Sequence, residues 1–258
     1  MNNSLRAALH ADRPMFGSWI QFGHTGVAEV MARAGFDWLA IDLEHSTIDI
    51  ATAATLIQVI DLAGCAPLVR LSDNDPTEAK RVMDAGAWGV IVPSVCSAAE
   101  AQRAVEAVKY PPEGRRGVGL GRAHAYGARF AEAVTECSES SVVVPMIEQK
   151  EGVERVEEIL SVDGVDAVFI GPYDLSASYG VVGELDHPLV IDAMRRVVEA
   201  ARARGKAAGI HVVHAPVTQV TERLDDGFRF IAYGGDMLFL TPAAIEAGTV
   251  LGRYRDRD

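Results

Sequence analysis

The chain has 258 residues, 49% of them hydrophobic, and a formal net charge of −12. That length supports one large domain or two small ones around a sizeable core. The acidic balance argues against nucleic acid or an anionic membrane as the main partner, because both call for clustered positive charge.

From the N-terminus, MNNSLRAALHADRP lacks an apolar core of signal-peptide length, and no later run approaches a membrane span. Three widely spaced cysteines, Cys65, Cys96 and Cys137, argue against a disulfide framework or a zinc cluster. A soluble cytoplasmic protein is expected. Short runs rich in Val, Ile and Leu then alternate with helical patterns. Strands are predicted over 16–20, 37–42, 66–71, 88–93, 141–147, 165–170, 207–213 and 228–233. Helices are predicted over 25–34, 51–63, 76–85, 98–108, 151–160, 190–204, 217–225 and 242–254. A glycine closes helix after helix just before a strand, as in MARAG–FDWLAID, IDLAG–CAPLVRL and VMDAG–AWGVIVP. Glycine tolerates the positive φ that a helix end often needs. Apolar strands without polar alternation suit a parallel sheet covered by helices. Eight such units predict a single-domain (β/α)8 TIM barrel over 1–258, with a doubly wound sheet as the alternative. The stretch 109–140, with Pro111, Pro112 and glycines up to Gly127, reads as one long irregular loop.

In such a barrel, functional groups gather where the strands end. The first strand runs into Trp19, Gln21 and His24, and the second ends as LAIDLEHS, with Asp42, Glu44 and His45. The third ends at Arg70, the fifth at Glu148 and Gln149, and the sixth runs into GPYDLS with Asp174. Glu148 and Asp174 come from different strands and together suit one hard divalent cation. Such an ion acts as a Lewis acid on a chelating keto acid. Arg70 suits a developing oxyanion, and His45 a proton transfer with Asp42 or Glu44 orienting its ring. Backbone N–H groups around Tyr173 and Asp174 could meet a substrate carboxylate at the start of a helical turn.

Each residue also has a structural reading. Asp174 or Glu148 could serve only as a helix-end charge, His45 as a hydrogen-bonded loop residue, and Arg70 as a surface partner of Asp73 or Asp75. Alternation places Glu44 in a structural role. RRGVGLGR, from Arg115 to Arg122, resembles a phosphate cradle but lacks the Walker lysine and a preceding strand, so a lid or subunit contact is the better reading. His211 and His214 read as pocket lining or packing.

FDWLAIDLEH, PLVRL, MDAGAWGVIVP, RRGVG, MIE and GPYDLSASYG occur in the order of the HpcH/HpaI aldolase family, the metal-dependent class II pyruvate aldolases, and the chain resembles that family from about Phe16 to Gly180. The resemblance implies a modified barrel whose last helix is exchanged between subunits, in a hexamer built as a trimer of dimers. It implies a carbon–carbon lyase that joins or splits pyruvate enolate and an aldehyde, with Mg²⁺, Mn²⁺ or Co²⁺ as cofactor. The metal ligands would be Glu148 and Asp174. His45 would be the proton-transfer histidine with Asp42 as its partner, and Arg70 would stabilise the enolate oxygen. Asp84 would approach a neighbouring subunit's site. Trp19, Arg70, Tyr173 and Asp174 would contact the keto acid. One departure is Met146, where well-known members carry glutamine; a thioether cannot donate the same hydrogen bonds. The alternatives are a CoA-thioester lyase of the citramalyl- or malyl-CoA type and a non-catalytic keto-acid-binding barrel.

Overall fold

The alternation of apolar runs and helical patterns closes on itself. A computed structural model describes residues 4–213 and 216–255. In it, eight parallel strands form a closed barrel in chain order: β1 (Met15–Ile20), β2 (Trp38–Asp42), β3 (Ala66–Arg70), β4 (Gly89–Val92), β5 (Val142–Ile147), β6 (Ala167–Ile170), β7 (Ala207–Val212) and β8 (Phe230–Gly235). β8 pairs with β1 to complete the ring. The doubly wound alternative is thereby excluded.

Helices cover the outside. α1 (Ser4–His10) precedes β1, and α2 (Thr25–Ala32), α3 (Ile50–Leu62), α4 (Pro76–Asp84) and α5 (Ala98–Val108) follow the first four strands. A 3-10 segment, Arg122–Gly127, and α6 (Phe130–Ser140) lead into β5. α7 (Lys150–Glu154) and α8 (Val156–Leu160) follow β5, then α9 (Pro172–Ser178) and α10 (Pro188–Ala203) follow β6. α11 (Gln219–Asp225) joins β7 to β8, and α12 (Asp236–Arg255) ends the described chain.

The period of two along each strand sorts side chains between two cores. Trp38 and Ala40, Leu68, Val144 and Met146, and Phe169 and Phe230 pack inside the barrel. Their neighbours Leu39, Ile41, Val69, Val143, Ile147, Val168 and Ile231 pack outward against the helices. The inner core is tight. Gly17 is required beside Trp38, because a Cβ there would lie 2.0 Å from the indole. Continuing each inner row by one step brings Asp42, Arg70 and Glu148 to the C-terminal mouth of the lumen. The buried inner layer beneath them is apolar.

Four expectations change. The stretch 109–140 is not one loop, since it contains the 3-10 segment and α6. The helix predicted over 151–160 is split at Arg155. α1 was not predicted; its Leu5 and Leu9 plug the other end of the lumen. α12 begins at Asp236 rather than 242 and runs through Pro242. Asp236 is the only buried residue described in that helix, and Phe239, Leu240, Ile245, Val250, Leu251 and Tyr254 are exposed along it.

Candidate active site

The charges at the mouth form one connected set. Residue 42 of β2 stands in register with residue 70 of β3. Arg70 therefore meets Asp42 side by side, with Nε 2.9 Å from Oδ1 and Nη2 2.7 Å from Oδ2. This two-pronged pair is the geometry in which a guanidinium and a carboxylate bind most strongly. Asp42 is fully buried. Burial alone would raise its pKa, but Arg70, the His45 backbone N–H and Gln21 hold it below its ordinary value. Arg70 also lies 4.5 Å over the Trp19 ring, and its Nη1 stands 3.2 Å from Glu44 Oε2. The surface pairing of Arg70 with Asp73 or Asp75 is not what the structure contains.

Glu148 is held from the β4 side. Ser94, in the turn after β4, takes a left-handed conformation with φ of 54°. A non-glycine residue there is uncommon and mildly strained. The turn aims the Ser94 backbone N–H at Glu148 Oε1, 2.6 Å away, and the Ser94 hydroxyl donates to the same oxygen at 3.2 Å. The hydroxyl also accepts from Gln149 Nε2 at 3.1 Å. Glu148 Oε2 remains buried with no hydrogen-bond partner among the described residues. It lies so close to the backbone between β6 and α9 that a Cβ on Gly171 would come within 2.6 Å of it. Burial raises the Glu148 pKa, and the nearby Asp174 charge adds to the rise despite the Ser94 hydrogen bonds. Glu44 is likewise raised by burial and by its Glu148 and Asp42 neighbours, against the pull of Arg70.

A cleft of about 350 Å³ opens over these groups. Trp19, Asp42, His45, Arg70, Tyr173 and Asp174 line it, so the sequence-predicted residues of four different βα units converge. Gln21, Met146, Phe169 and His211 line it as well. Gln21 has a defined task, since its Nε2 donates to Asp42 Oδ2 at 3.0 Å. His211 Nε2 donates to the Gly234 carbonyl at 2.8 Å and the ring packs near Trp19, in keeping with its reading as pocket lining. His214 lies outside the described residues.

Two expectations do not meet the site as stated. Asp42 does not orient the His45 ring: it bonds the His45 backbone N–H at 3.1 Å, while the ring Nε2 lies 3.8 Å from Glu44 Oε2. Asp84 ends α4, at the barrel face from which β4 starts, and so stands away from the cleft of its own chain. It pairs there with buried Arg116. Arg116 and Arg122, which pairs with Asp61, are spent on these contacts, and RRGVGLGR forms no phosphate cradle. Ser94 escaped the sequence reading, because nothing in a lone serine announces a left-handed turn.

The donors at the mouth fit the divalent cation implied by the resemblance. Glu148 Oε2 is a bare buried acceptor, and Asp174 is close enough for its charge to raise Glu148. Two carboxylates are a sparse oxygen set of the kind that leaves positions for water and a chelating substrate. Among the described residues no group of three or more His, Cys, Asp or Glu could hold a metal. The three cysteines are unpaired. Among the described residues no helix is long and apolar enough to cross a membrane.

Comparison with known proteins agrees with this geometry. The family model described as HpcH/HpaI aldolase/citrate lyase matches residues 15–242. The chain is 41% identical over 247 residues to the 4-hydroxy-2-oxo-heptane-1,7-dioate aldolase of Escherichia coli, covering 95% of this chain and 93% of that one. Among solved structures, an HpcH/HpaI aldolase/citrate lyase family protein from Burkholderia cenocepacia J2315 superposes with a TM-score of 0.91 at 34% identity, covering 97% of this chain and 99% of the other. An HpcH/HpaI aldolase from Desulfitobacterium hafniense DCB-2 superposes with a TM-score of 0.88 at 29% identity, covering 96% of each chain.

Proposed function

The chain belongs to the HpcH/HpaI aldolase/citrate lyase family and is a lyase, and from that premise we propose that it splits 4-hydroxy-2-oxo acids into pyruvate and an aldehyde, and runs the same reaction in reverse. The relatives' 4-hydroxy-2-oxo-heptane-1,7-dioate is the first substrate to try. The observation that carries this reading is the convergence of Asp174, Arg70 and His45 on one cleft, with Glu148 buried beside it and near enough to Asp174 to feel that charge. Mg²⁺, Mn²⁺ or Co²⁺, held by Glu148 and Asp174, would supply Lewis-acid polarisation of the keto oxygen.

The remaining roles fall to the chain's own groups. Arg70, clamped by Asp42, keeps its charge in a fixed direction and stabilises the negative charge that develops on the keto oxygen. The backbone N–H groups of Tyr173 and Asp174 open the first turn of α9, where N–H groups lack helical partners, and they receive the substrate carboxylate. Trp19 and Phe169 supply an apolar wall. His45, half exposed at the rim, takes the proton of the 4-hydroxyl. The bond between C3 and C4 then breaks as the 4-oxygen forms the aldehyde carbonyl, the bond's electron pair moves toward the keto oxygen, and His45 returns its proton to C3 to complete the pyruvate methyl group. A compact keto acid suits this cleft better than a CoA thioester. Among the described residues that line it, the one lysine or arginine is Arg70, which is already engaged by two carboxylates.

The test is exchange of the pyruvate methyl protons for deuterium, followed by proton NMR with Mg²⁺ or Mn²⁺ and again after EDTA. Exchange that needs the metal is expected. A protein that binds pyruvate yet leaves its methyl group unexchanged under every metal would be a keto-acid-binding barrel instead.

A further inference from the structure

The supply of acceptors around His45 favours Glu44 over Asp42. Asp42 Oδ1 receives Arg70 Nε at 2.9 Å and the backbone N–H groups of Glu44 and His45 at 3.1 Å each. Oδ2 receives Arg70 Nη2 at 2.7 Å and Gln21 Nε2 at 3.0 Å. An ionised carboxylate has about four lone-pair sites. Five donors already crowd Asp42, and an imidazole N–H finds no site there. Glu44 is in the opposite condition. Its Oε2 is buried and accepts no hydrogen bond from the described residues. That oxygen lies between Arg70 Nη1, 3.2 Å away, and His45 Nε2, 3.8 Å away. A buried carboxylate oxygen without a donor is unfavourable. The His45 side chain is 56% exposed, so a small turn of the ring closes the gap without disturbing the core.

We infer that Glu44 is the positioning residue of His45: its Oε2 takes the ring Nε2–H, and Nδ1 is left to exchange the proton with substrate. This rests on the reading of His45 as the proton-transfer group. Arg70 anchors the Glu44 carboxylate from the far side, so the ring's orientation is tied to the same guanidinium that faces the keto oxygen. A hydrogen bond on one ring nitrogen fixes the tautomer and hence the nitrogen available for chemistry. The charged groups around Glu44 are Asp42 from β2, Arg70 from β3 and Glu148 from β5, besides His45 itself. Loss of the Glu44 charge leaves Arg70 acting on the ring with less opposition.

The experiment compares Glu44→Leu with Asp42→Asn in the full chain loaded with Mg²⁺. The tautomer of the His45 ring is read from its nitrogen-15 shifts by proton–nitrogen NMR, the resonances assigned from their absence in His45→Ala. Pyruvate methyl exchange is measured on the same samples. In Glu44→Leu the fixed Nε2–H form is expected to give way to a mixture of the two ring tautomers. The exchange kcat should drop roughly tenfold or more, with KM for pyruvate unchanged within about twofold. Asp42→Asn, which loosens Arg70, should raise KM as well. Unchanged ring nitrogen shifts in folded Glu44→Leu, or a change confined to Asp42→Asn, overturn the inference. Should Glu44→Leu not fold, Glu44→Asp keeps the charge but shortens its reach; it is expected to loosen the tautomer preference, and wild-type ring shifts there overturn the inference equally. A wild-type protein that exchanges no methyl protons defeats the aldolase reading, while the ring shifts still decide the role of Glu44.

Discussion

Asp42 and Glu44 sit two residues apart on one inward-facing row yet do different work. Asp42 builds the scaffold: it is saturated by Arg70, Gln21 and two backbone N–H groups. The sequence made both carboxylates visible as candidates, because charges ending a buried strand need a partner or a use. It could not divide the tasks, since the division depends on which lone pairs are already taken. Glu148 and Asp174 were legible for a simpler reason: each follows an apolar run at the end where barrel sites form. Replacing either Glu148 or Asp174 by alanine should abolish metal-dependent exchange and lower Mn²⁺ affinity, read by titration of the free ion's EPR signal. The fold should persist by circular dichroism. Full activity at low metal in either variant would sink their assignment as ligands.

At the scale of elements, strands were easier to read than helices. Every strand was recovered within two residues, because an uncharged β-branched run bounded by glycine has few other uses. The short helices escaped. α1 offers only two turns, and α6, though as long as α5, buries just Ala133 and Cys137 and follows a stretch of Gly and Pro, so neither shows a clear apolar stripe at a period of 3.6. Yet α1 does more than plug the lumen. Its Arg6 Nε bonds Asp166 at 2.7 Å and its His10 Nε2 at 3.0 Å, while Asp166 Oδ2 accepts the Val143 N–H at 2.9 Å. Burial would raise the Asp166 pKa, but His10 and Arg6 hold it below its ordinary value. The folded state thus binds fewer protons than the unfolded chain near that value. The stability contributed by Asp166 is complete above its unfolded pKa and fades as the pH falls through the depressed folded value. Asp166→Asn should lower unfolding stability near neutrality by roughly 3 kcal/mol, as for breaking a buried pair. It should also flatten the acid limb, measured by urea denaturation at a series of pH values. An unchanged acid limb would show that α1 is anchored by its leucines alone.

For the whole molecule, closure of the barrel leaves α12 over. Past its first turn the helix carries Ile245, Val250 and Leu251 into solvent, an expensive arrangement for a chain on its own. Asp84 stands at the far face of the barrel from the cleft. Both features suit the trimer of dimers that the family resemblance implies, in which α12 would be exchanged and Asp84 would approach a neighbour's site. Light scattering after size exclusion should give a hexamer for the full chain. Removal of residues 243–258 should give smaller species; a monomer in the full chain would reject this assembly.

Met146 and Ile147 are adjacent in sequence and belong to different worlds: one lines the cleft, the other packs against the helices. That separation allows descent with modification to proceed on two nearly independent tracks. Drift along the inward row can retune which aldehyde is accepted, while the outward row goes on keeping the barrel closed. A methionine where the family resemblance implies glutamine is the kind of change such an arrangement tolerates, and a library confined to Met146 would explore new acceptors while leaving the packed layer of Trp38, Phe169 and Phe230 in place.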